Sequence, residues 1–240
     1  MERIGMRSYI EFENVKKIYQ MGEVQIKALD GVDFTIEKGE FVVIAGESGA
    51  GKSTILNLLC GMDQVSEGSI FVDGNEISAY SSKELTMYRR YDIGFVFQFY
   101  NLVQNLNVKE NVELATQICK NPLNVDEVIE AVGLKERKAN FPAQLSGGEQ
   151  QRDAIARANA KNPKLLLCDE PTGALDYHTG KQILKLLQDT CRQRGVSVVV
   201  ITHNLALCAM GDKVIRVRNG RIDSITKNEH PLPVERIEYK

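Results

Sequence analysis

Two segments of the chain have residue types and spacings that suit phosphate binding, and the first is the more specific. Residues 46–53 match the pattern G-x-x-x-x-G-K-[ST]. Its glycines let the backbone wrap around a phosphate, so that N–H groups point inward. Lys52 supplies a point charge to the β- and γ-phosphates of a nucleotide, and the Ser53 hydroxyl suits Mg²⁺. The predicted nucleotide contacts in this loop are Gly46, Glu47, Ser48, Gly49, Ala50, Gly51, Lys52, Ser53 and Thr54.

The residues on either side of this loop favour the same interpretation. The apolar, β-branched run at residues 41–45 predicts a strand buried on both faces of a parallel sheet, and residues 54–59 predict a helix. A strand, a glycine-rich loop and a helix form the context that the motif requires. The alternative is an ordinary glycine-rich turn, which would match the pattern by chance in on the order of one chain in a hundred.

The second segment is residues 145–149. Ser146 and Glu149 form the S-x-x-E pattern of a capping box, which predicts the start of a helix. Gly147 and Gly148 expose backbone N–H groups at that helix N-terminus, which favours an anion. This loop has no lysine, so it is poorly suited to hold a nucleotide alone. We therefore expect it to complete the site of a neighbouring chain; the alternative is an ordinary capped helix start.

Two further apolar runs end in residues that suit hydrolysis. The run at 164–168 is followed by Asp169 and Glu170, which would hold Mg²⁺ through water and polarise an attacking water, respectively. The run at 196–202 is followed by His203, which can reach a γ-phosphate and help to position that water. The alternatives are two surface acids after a core strand and a structural or solvated histidine.

Composition limits the classes of protein that the chain can represent. At 240 residues with 43% hydrophobic residues, it suits one α/β unit with two lobes. A net charge of −2 gives no electrostatic signature for nucleic-acid binding. No apolar run approaches 18 residues, and residues 1–7 lack the apolar core of a secretion signal. The five cysteines show no C-x-x-C spacing, which favours reduced thiols in the cytosol.

On these motifs the chain resembles the ATP-binding cassette (ABC) family over about residues 9–223. The resemblance implies a P-loop NTPase fold with a RecA-like parallel sheet, a small antiparallel β subdomain and a helical lobe that carries the signature segment, residues 145–149. It implies one ATP-binding domain at 8–226, with the helical lobe at about 88–161. Residues 227–240, which contain Pro231 and Pro233, are expected to form a loose tail.

The same resemblance assigns further site residues. Tyr19 matches the aromatic residue that stacks on adenine, and Gln98 matches the glutamine that binds Mg²⁺ and the attacking water. Residues 173–176 match a loop that crosses a dimer interface, although the family usually has Ser where Gly173 stands. Ser53, Gln98 and Asp169 are thus the expected metal ligands.

The implied function is that of an ATPase that cycles between open and closed homodimers and requires ATP and Mg²⁺. A separate transmembrane permease subunit would hold it at the cytoplasmic face of the membrane, with an extracytoplasmic adaptor as a further partner. Residues 47–54, 97–102 and 168–176 are most similar to the lipoprotein-releasing, macrolide-exporter and antimicrobial-peptide exporter subgroup. The alternatives are a cassette ATPase working on DNA or ribosomes, and a regulatory module that moves no substrate.

Two segments outside these motifs also raise expectations. Residues 99–106 predict a groove for the membrane subunit, with Leu102 and Leu106 as its apolar groups; the alternative is a loop packed on its own lobe. In the helix after the signature segment, Asp153 and Asn159 stand where the subgroup usually has Val and Leu. Since buried polar groups need partners, these two residues are either exposed or paired with other groups.

Overall fold

The computed structural model describes residues 8–238, and within that range the chain forms ten strands and six α-helices. The strands are β1 (Ile10–Met21), β2 (Val24–Ile36), β3 (Phe41–Ala45), β4 (Glu67–Val72), β5 (Asn75–Glu76), β6 (Ile93–Val96), β7 (Leu165–Asp169), β8 (Ser197–Thr202), β9 (Lys213–Arg218) and β10 (Arg221–Lys227). The helices are α1 (Lys52–Leu59), α2 (Ser82–Tyr91), α3 (Val108–Thr116), α4 (Val125–Ala131), α5 (Gly147–Ala160) and α6 (Tyr177–Arg194). None of the helices in residues 8–238 combines the length and apolar character needed to cross a membrane.

The core is a sheet that runs, within the described residues, in the order β10-β9-β3-β8-β7-β6. The five strands from β9 to β6 are parallel, and only β10 pairs antiparallel, with β9. The register aligns the carboxyl ends of four strands through the pairs Ala45–Thr202, Asp169–Ile201 and Cys168–Val96. The loops that follow these strands therefore leave from one edge of the sheet.

Both faces of this sheet are buried, as the apolar runs predicted. Along β3, Val42 and Ile44 pack in one apolar cluster with α1 and the residues of β1 and β2. Phe41 and Val43 point to the opposite face, where they join a second cluster with α6. Successive side chains of a strand alternate between faces, so a strand between two layers must be apolar throughout.

A second, antiparallel sheet has the strand order β2-β1-β4-β5 in the described part of the chain. The rings of Phe12 and Phe34 stack across β1 and β2, with centroids 4.3 Å apart. The predicted α/β class with a parallel core sheet, a small antiparallel subdomain and a helical lobe is thus confirmed.

The helical lobe has its own apolar cluster, built by α3, α4 and α5 around residues such as Val112, Ile129 and Ala156. Its predicted range of about 88–161 includes β6, which pairs with β7 in the core sheet. The lobe as a packing unit therefore begins later, at Val108. One strand of the core sheet lies within the predicted lobe because the chain returns to the sheet between α2 and α3.

The segment after β10 is anchored, so the prediction of a loose tail is wrong for residues 228–238. Val234 and Ile237 are 1% and 3% exposed and join the cluster around α6. Lys185 of α6 forms an ion pair of 2.7 Å with Glu235. This packing could not be predicted from the sequence, because two isolated apolar residues in a proline-containing stretch show neither helical nor strand periodicity.

Candidate nucleotide site

The loops that leave the aligned strand ends border one cleft of about 710 Å³. It brings the phosphate loop together with residues that follow β6, β7 and β8, as the sequence predicted. The predicted site residues on its wall are Ser48, Gly49, Gly51, Lys52, Ser53, Thr54, Gln98, Asp169, Glu170 and His203.

The phosphate loop is held in a tight curve by its own chain. Gly51, immediately before α1, has φ = 107°, and a Cβ there would lie 2.7 Å from the Ala28 carbonyl oxygen. Lys52 is buried at 6% exposure, and its Nζ donates to the carbonyl oxygens of Gly46 and Glu47 at 2.8 Å each. The loop thus presents an ammonium group and the N-terminus of α1 to the cleft, which favours phosphate.

Glu170 and His203 form a pair at the cleft. Glu170 Oε1 lies 2.9 Å from His203 Nδ1, with side-chain exposures of 14% and 64%. Glu170 has φ = 46°, a left-handed conformation that is uncommon for a residue with a side chain and that turns the chain sharply after β7. The hydrogen bond orients the carboxylate and leaves His203 Nε2 available for another group.

Asp169 lies beside this pair, and its surroundings favour a bound cation. Burial raises the pKa of its carboxyl group, the nearby Glu170 raises it further, and Lys52 lowers it. Together with Ser53 and Gln98, Asp169 offers the oxygen ligands that Mg²⁺ prefers. No group of three or more His, Cys, Asp or Glu within residues 8–238 is arranged to hold a metal. Ser53, Gln98 and Asp169 would each supply an oxygen ligand to Mg²⁺, which usually keeps further positions for water and phosphate oxygens.

The remaining predicted contacts of the loop border a neighbouring cleft of about 420 Å³. Gly46, Glu47 and Ala50 lie there. This second cleft shares Ser48, Gly49 and His203 with the first, so the phosphate loop forms the wall between them.

Tyr19 lies close to the nucleotide cleft without lining it. Its hydroxyl donates to Asp63 Oδ2 at 2.7 Å, and Lys17 Nζ lies 4.8 Å from the ring centroid. Burial raises the pKa of Tyr19, as does the hydrogen bond to Asp63. The ring is thus held at its edge and on one face, and the stacking of adenine on it stays a prediction.

The capping box of the signature segment is confirmed. Ser146 N–H donates to Glu149 Oε2 at 2.8 Å, and Glu149 N–H donates to Ser146 Oγ at 3.3 Å. The hydrogen bond from the Ser146 N–H lowers the pKa of Glu149. Residues 146–149 do not line the nucleotide cleft of the described chain. Their predicted role at a neighbour's nucleotide is thus not performed within one chain.

Two parts of the cleft wall could not be predicted from the sequence. Residues 26–28 of β2 line the cleft, as do Asn219 and Gly220 in the turn between β9 and β10. Gly220 N–H donates to the Ala50 carbonyl at 2.9 Å, and the Gly220 carbonyl accepts from Asp30 N–H at 2.9 Å. Asn-Gly is a strong signal for a hairpin turn, but nothing local to it indicates that the turn contacts the phosphate loop.

Asp153 and Asn159 are buried, which excludes the first of the two alternatives, that they are exposed. Asn159 is 4% exposed, and its Nδ2 donates to Thr190 Oγ1 at 3.4 Å. Asp153 is 0% exposed, and neither of its carboxyl oxygens has a hydrogen-bond partner within residues 8–238. Burial raises the pKa of Asp153 to about 7.

Comparison with known proteins agrees with this fold. The family described as ABC transporter matches residues 29–173. An uncharacterized ABC transporter ATP-binding protein of Thermotoga maritima is 44% identical over 227 residues, which cover 92% of this chain and 97% of that protein. The dimeric structure of a post-hydrolysis state of the ATP-binding cassette MJ0796 of Methanocaldococcus jannaschii, bound to ADP and Pi, has a TM-score of 0.83 and 41% identity, covering 91% of this chain and 98% of that one.

A more distant structure has the same fold. It is cbiO1 of Clostridium perfringens, described as part of the ABC transporter complex cbiONQ, with a TM-score of 0.82, 29% identity and coverage of 92% of this chain and 89% of that one. Two Mycoplasma relatives are longer, and the chain spans only 50% and 52% of their length. The chain belongs to the ABC transporter family. Its class is that of the ABC ATPases, which bind and hydrolyse ATP.

The position of the turn at Asn219 and Gly220 in the cleft wall leads to a prediction for Gly220→Ala. Gly220 has φ = 73°, and a Cβ there would lie 2.8 Å from the Ala28 carbonyl oxygen, so the substitution should displace the wall formed by β2. We expect the Kd for ATP to rise about 10-fold, equivalent to about 1.4 kcal/mol, in a titration with a fluorescent ATP analogue.

The matched control is Gly74→Ala. Gly74 has a similar φ of 76°, but nothing lies within 4 Å of a Cβ there. It should suffer the same backbone strain without any change in nucleotide affinity. Equal affinities in both variants would show that Gly220 does not shape the cleft.

Proposed function

We propose that the chain is the ATP-hydrolysing subunit of a membrane transporter, acting as a homodimer that closes on ATP and drives a separate transmembrane subunit. The observation that carries the proposal is the separation of the two phosphate-binding segments. The loop at 46–53 lines the cleft, whereas Ser146 and its glycines lie on α5 outside it. Two copies arranged head to tail would place each signature segment over the partner's cleft.

The geometry of the cleft supports a division of roles in hydrolysis. Lys52 and the N-terminus of α1 bind the phosphates. Tyr19, which does not line the cleft, is assigned to the base by its resemblance to the family's adenine-stacking residue. Glu170 accepts a proton from the attacking water, and its hydrogen bond to His203 Nδ1 fixes the carboxylate in place. In this proposal His203 Nε2, which the bond to Glu170 leaves free, binds the γ-phosphate. Ser53, Gln98 and Asp169 would hold Mg²⁺, which would neutralise charge on the phosphates.

Dimer formation is supported by the related cassette MJ0796, whose structure is dimeric with ADP and Pi. It is also supported by the rigidity of the signature segment. A Cβ on Gly148 would lie 2.2 Å from Thr179 Cγ2, so the backbone of this segment packs directly against α6. The loop is held by its own chain in a form that can accept a partner's phosphate without rearranging.

A membrane partner is supported by the relative cbiO1, which is part of a transporter complex. The docking segment at 99–106 needs a correction, however. Leu102 is buried at 7% exposure, so a charge there would test folding rather than docking, whereas Phe99 is 74% exposed. We therefore assign docking to Phe99. Attachment at the cytoplasmic face and membership of the exporter subgroup are parts of the same proposal.

Glu170→Gln tests the assignment of the base. The amide keeps the shape of the side chain but cannot take a proton, so kcat should fall by about 10²–10⁴-fold while ATP-dependent dimers accumulate. Steady-state ATPase assays and size-exclusion chromatography measure both effects. The exposed Glu136→Gln is the control and should behave as the wild type. Turnover at the wild-type rate by Glu170→Gln would mean that another group is the base.

Ser146→Asp tests whether the signature segment faces the partner's phosphate. Asp and Asn both cap helices as well as Ser does, but only Asp adds a negative charge. In the Glu170→Gln background, we expect Ser146→Asp to weaken ATP-dependent dimers by at least about 10-fold and Ser146→Asn to retain them. Analytical ultracentrifugation with ATP measures the difference. Equally stable dimers in the two variants would exclude the model in which each chain completes its neighbour's site.

Phe99→Asp tests docking. A charge on this exposed ring should abolish co-purification of the membrane subunit from native membranes and leave the Kd for ATP unchanged. Ile225→Asp is the matched control, because Ile225 is an apolar residue of β10 that is 46% exposed, and it should retain the membrane subunit. Equal recovery with both variants would show that Phe99 is not part of the docking surface.

A further inference from the structure

The two residues after the turn at Gln98 and Phe99 have a strained backbone. Tyr100 and Asn101 have φ values of 27° and 50°, in the left-handed region that residues with side chains rarely adopt. Such conformations persist only where surrounding contacts impose them. Since Gln98 lines the nucleotide cleft and lies two residues before Tyr100, whatever holds this strained pair also limits where Gln98 can lie.

Arg157 of α5 provides that contact. Its Nη1 donates to the Asn101 carbonyl at 2.7 Å, and its Nη2 donates to the Tyr100 carbonyl at 3.1 Å. A planar guanidinium can bind two acceptors in a fixed geometry, which a lysine ammonium cannot. Arg157 belongs to the same helix as the signature segment, whose capping residue is Ser146. One rigid helix therefore carries both the signature segment and the contact to the loop behind Gln98.

Asp153 lies one helical turn before Arg157 and is fully buried. Both of its carboxyl oxygens lack a hydrogen-bond partner in the part of the chain that the structure describes. A buried carboxylate without such bonds is costly unless a neighbouring charge compensates it. Burial lowers the pKa of Arg157 and the charge of Asp153 raises it, but no hydrogen bond joins the two side chains. The arrangement of Asp at position i and Arg at i+4 is favourable on a helix.

We propose that Arg157 is a positioning residue for Gln98, acting through its hydrogen bonds to the Tyr100 and Asn101 carbonyls. The guanidinium holds the loop that follows Gln98 against α5. A movement of the signature segment is therefore transmitted along α5 to Tyr100, which is linked to Gln98 by two residues of chain. That link spans at most about 7 Å. The inference rests on the proposed role of Gln98 in hydrolysis and goes beyond it by assigning the group that places Gln98.

Arg157→Gln removes the paired donors and should lower kcat by about 10-fold. The KM and the Kd for ATP should stay within about two-fold, because the phosphate loop and Tyr19 do not contact Arg157. Arg157→Lys keeps the charge and should recover part of the loss. Arg194→Gln is the control: Arg194 ends α6, donates to Asn162 Oδ1 at 3.0 Å and should leave kcat unchanged.

Double variants separate positioning from a loss of stability. Adding Arg157→Gln to Gln98→Ala should cause no further loss of kcat, since the glutamine that it places is already gone. Thermal unfolding and ATP binding are measured to confirm that each variant is folded. If Arg157→Gln does not fold, Arg157→Lys is combined with Gln98→Ala in its place.

Three results would overturn the inference. They are a kcat of Arg157→Gln within two-fold of the wild type, additive losses in the double variants, and a rise in KM that accounts for the whole effect. If Gln98→Ala itself kept the wild-type kcat, the proposed role of Gln98 would fail together with the inference. If Gln98→Ala lost activity and the Arg157 variants did not, only the inference would fail.

Discussion

The register of the parallel core strands is the constraint on which the rest of the molecule depends. Because Ala45 lies opposite Thr202 and Asp169 opposite Ile201, the loops that follow these strands start at the same height. A slip of one residue would turn every side chain of a strand to the other face of the sheet. The two apolar clusters that cover the sheet therefore fix the residues of the cleft relative to one another. The packing of apolar side chains on the two faces of the sheet thus determines the geometry of the nucleotide cleft at its edge.

Much of this could be predicted from the sequence, because the relevant signals are local. The buried strands, the loop at 46–53 and the capping box at Ser146 each depend on residues within a few positions of one another. The acids after β7 and the histidine after β8 could be placed together because carboxyl ends of parallel strands meet at one edge. Local pattern and sheet topology together predicted the cleft.

The rest could not be predicted, because it depends on contacts between distant segments. The turn at Gly220 is a wall of the cleft only because it bonds Ala50 in the phosphate loop. Val234 is buried by α6, and Arg157 of α5 donates to the backbone carbonyls of a loop more than fifty residues earlier in the chain. In irregular segments such as 99–106, exposure follows no period, so the sequence could not distinguish buried Leu102 from exposed Phe99.

Lys52 gives the phosphate loop a further property. Its ammonium group already has two acceptors within the loop, the carbonyls of Gly46 and Glu47. The conformational entropy of ordering the loop and the lysine side chain is therefore lost when the protein folds and not when ATP binds. A phosphate then competes with backbone carbonyls for an ammonium that is already desolvated. The contribution of this lysine to affinity is therefore the difference between two sets of hydrogen bonds to one cation.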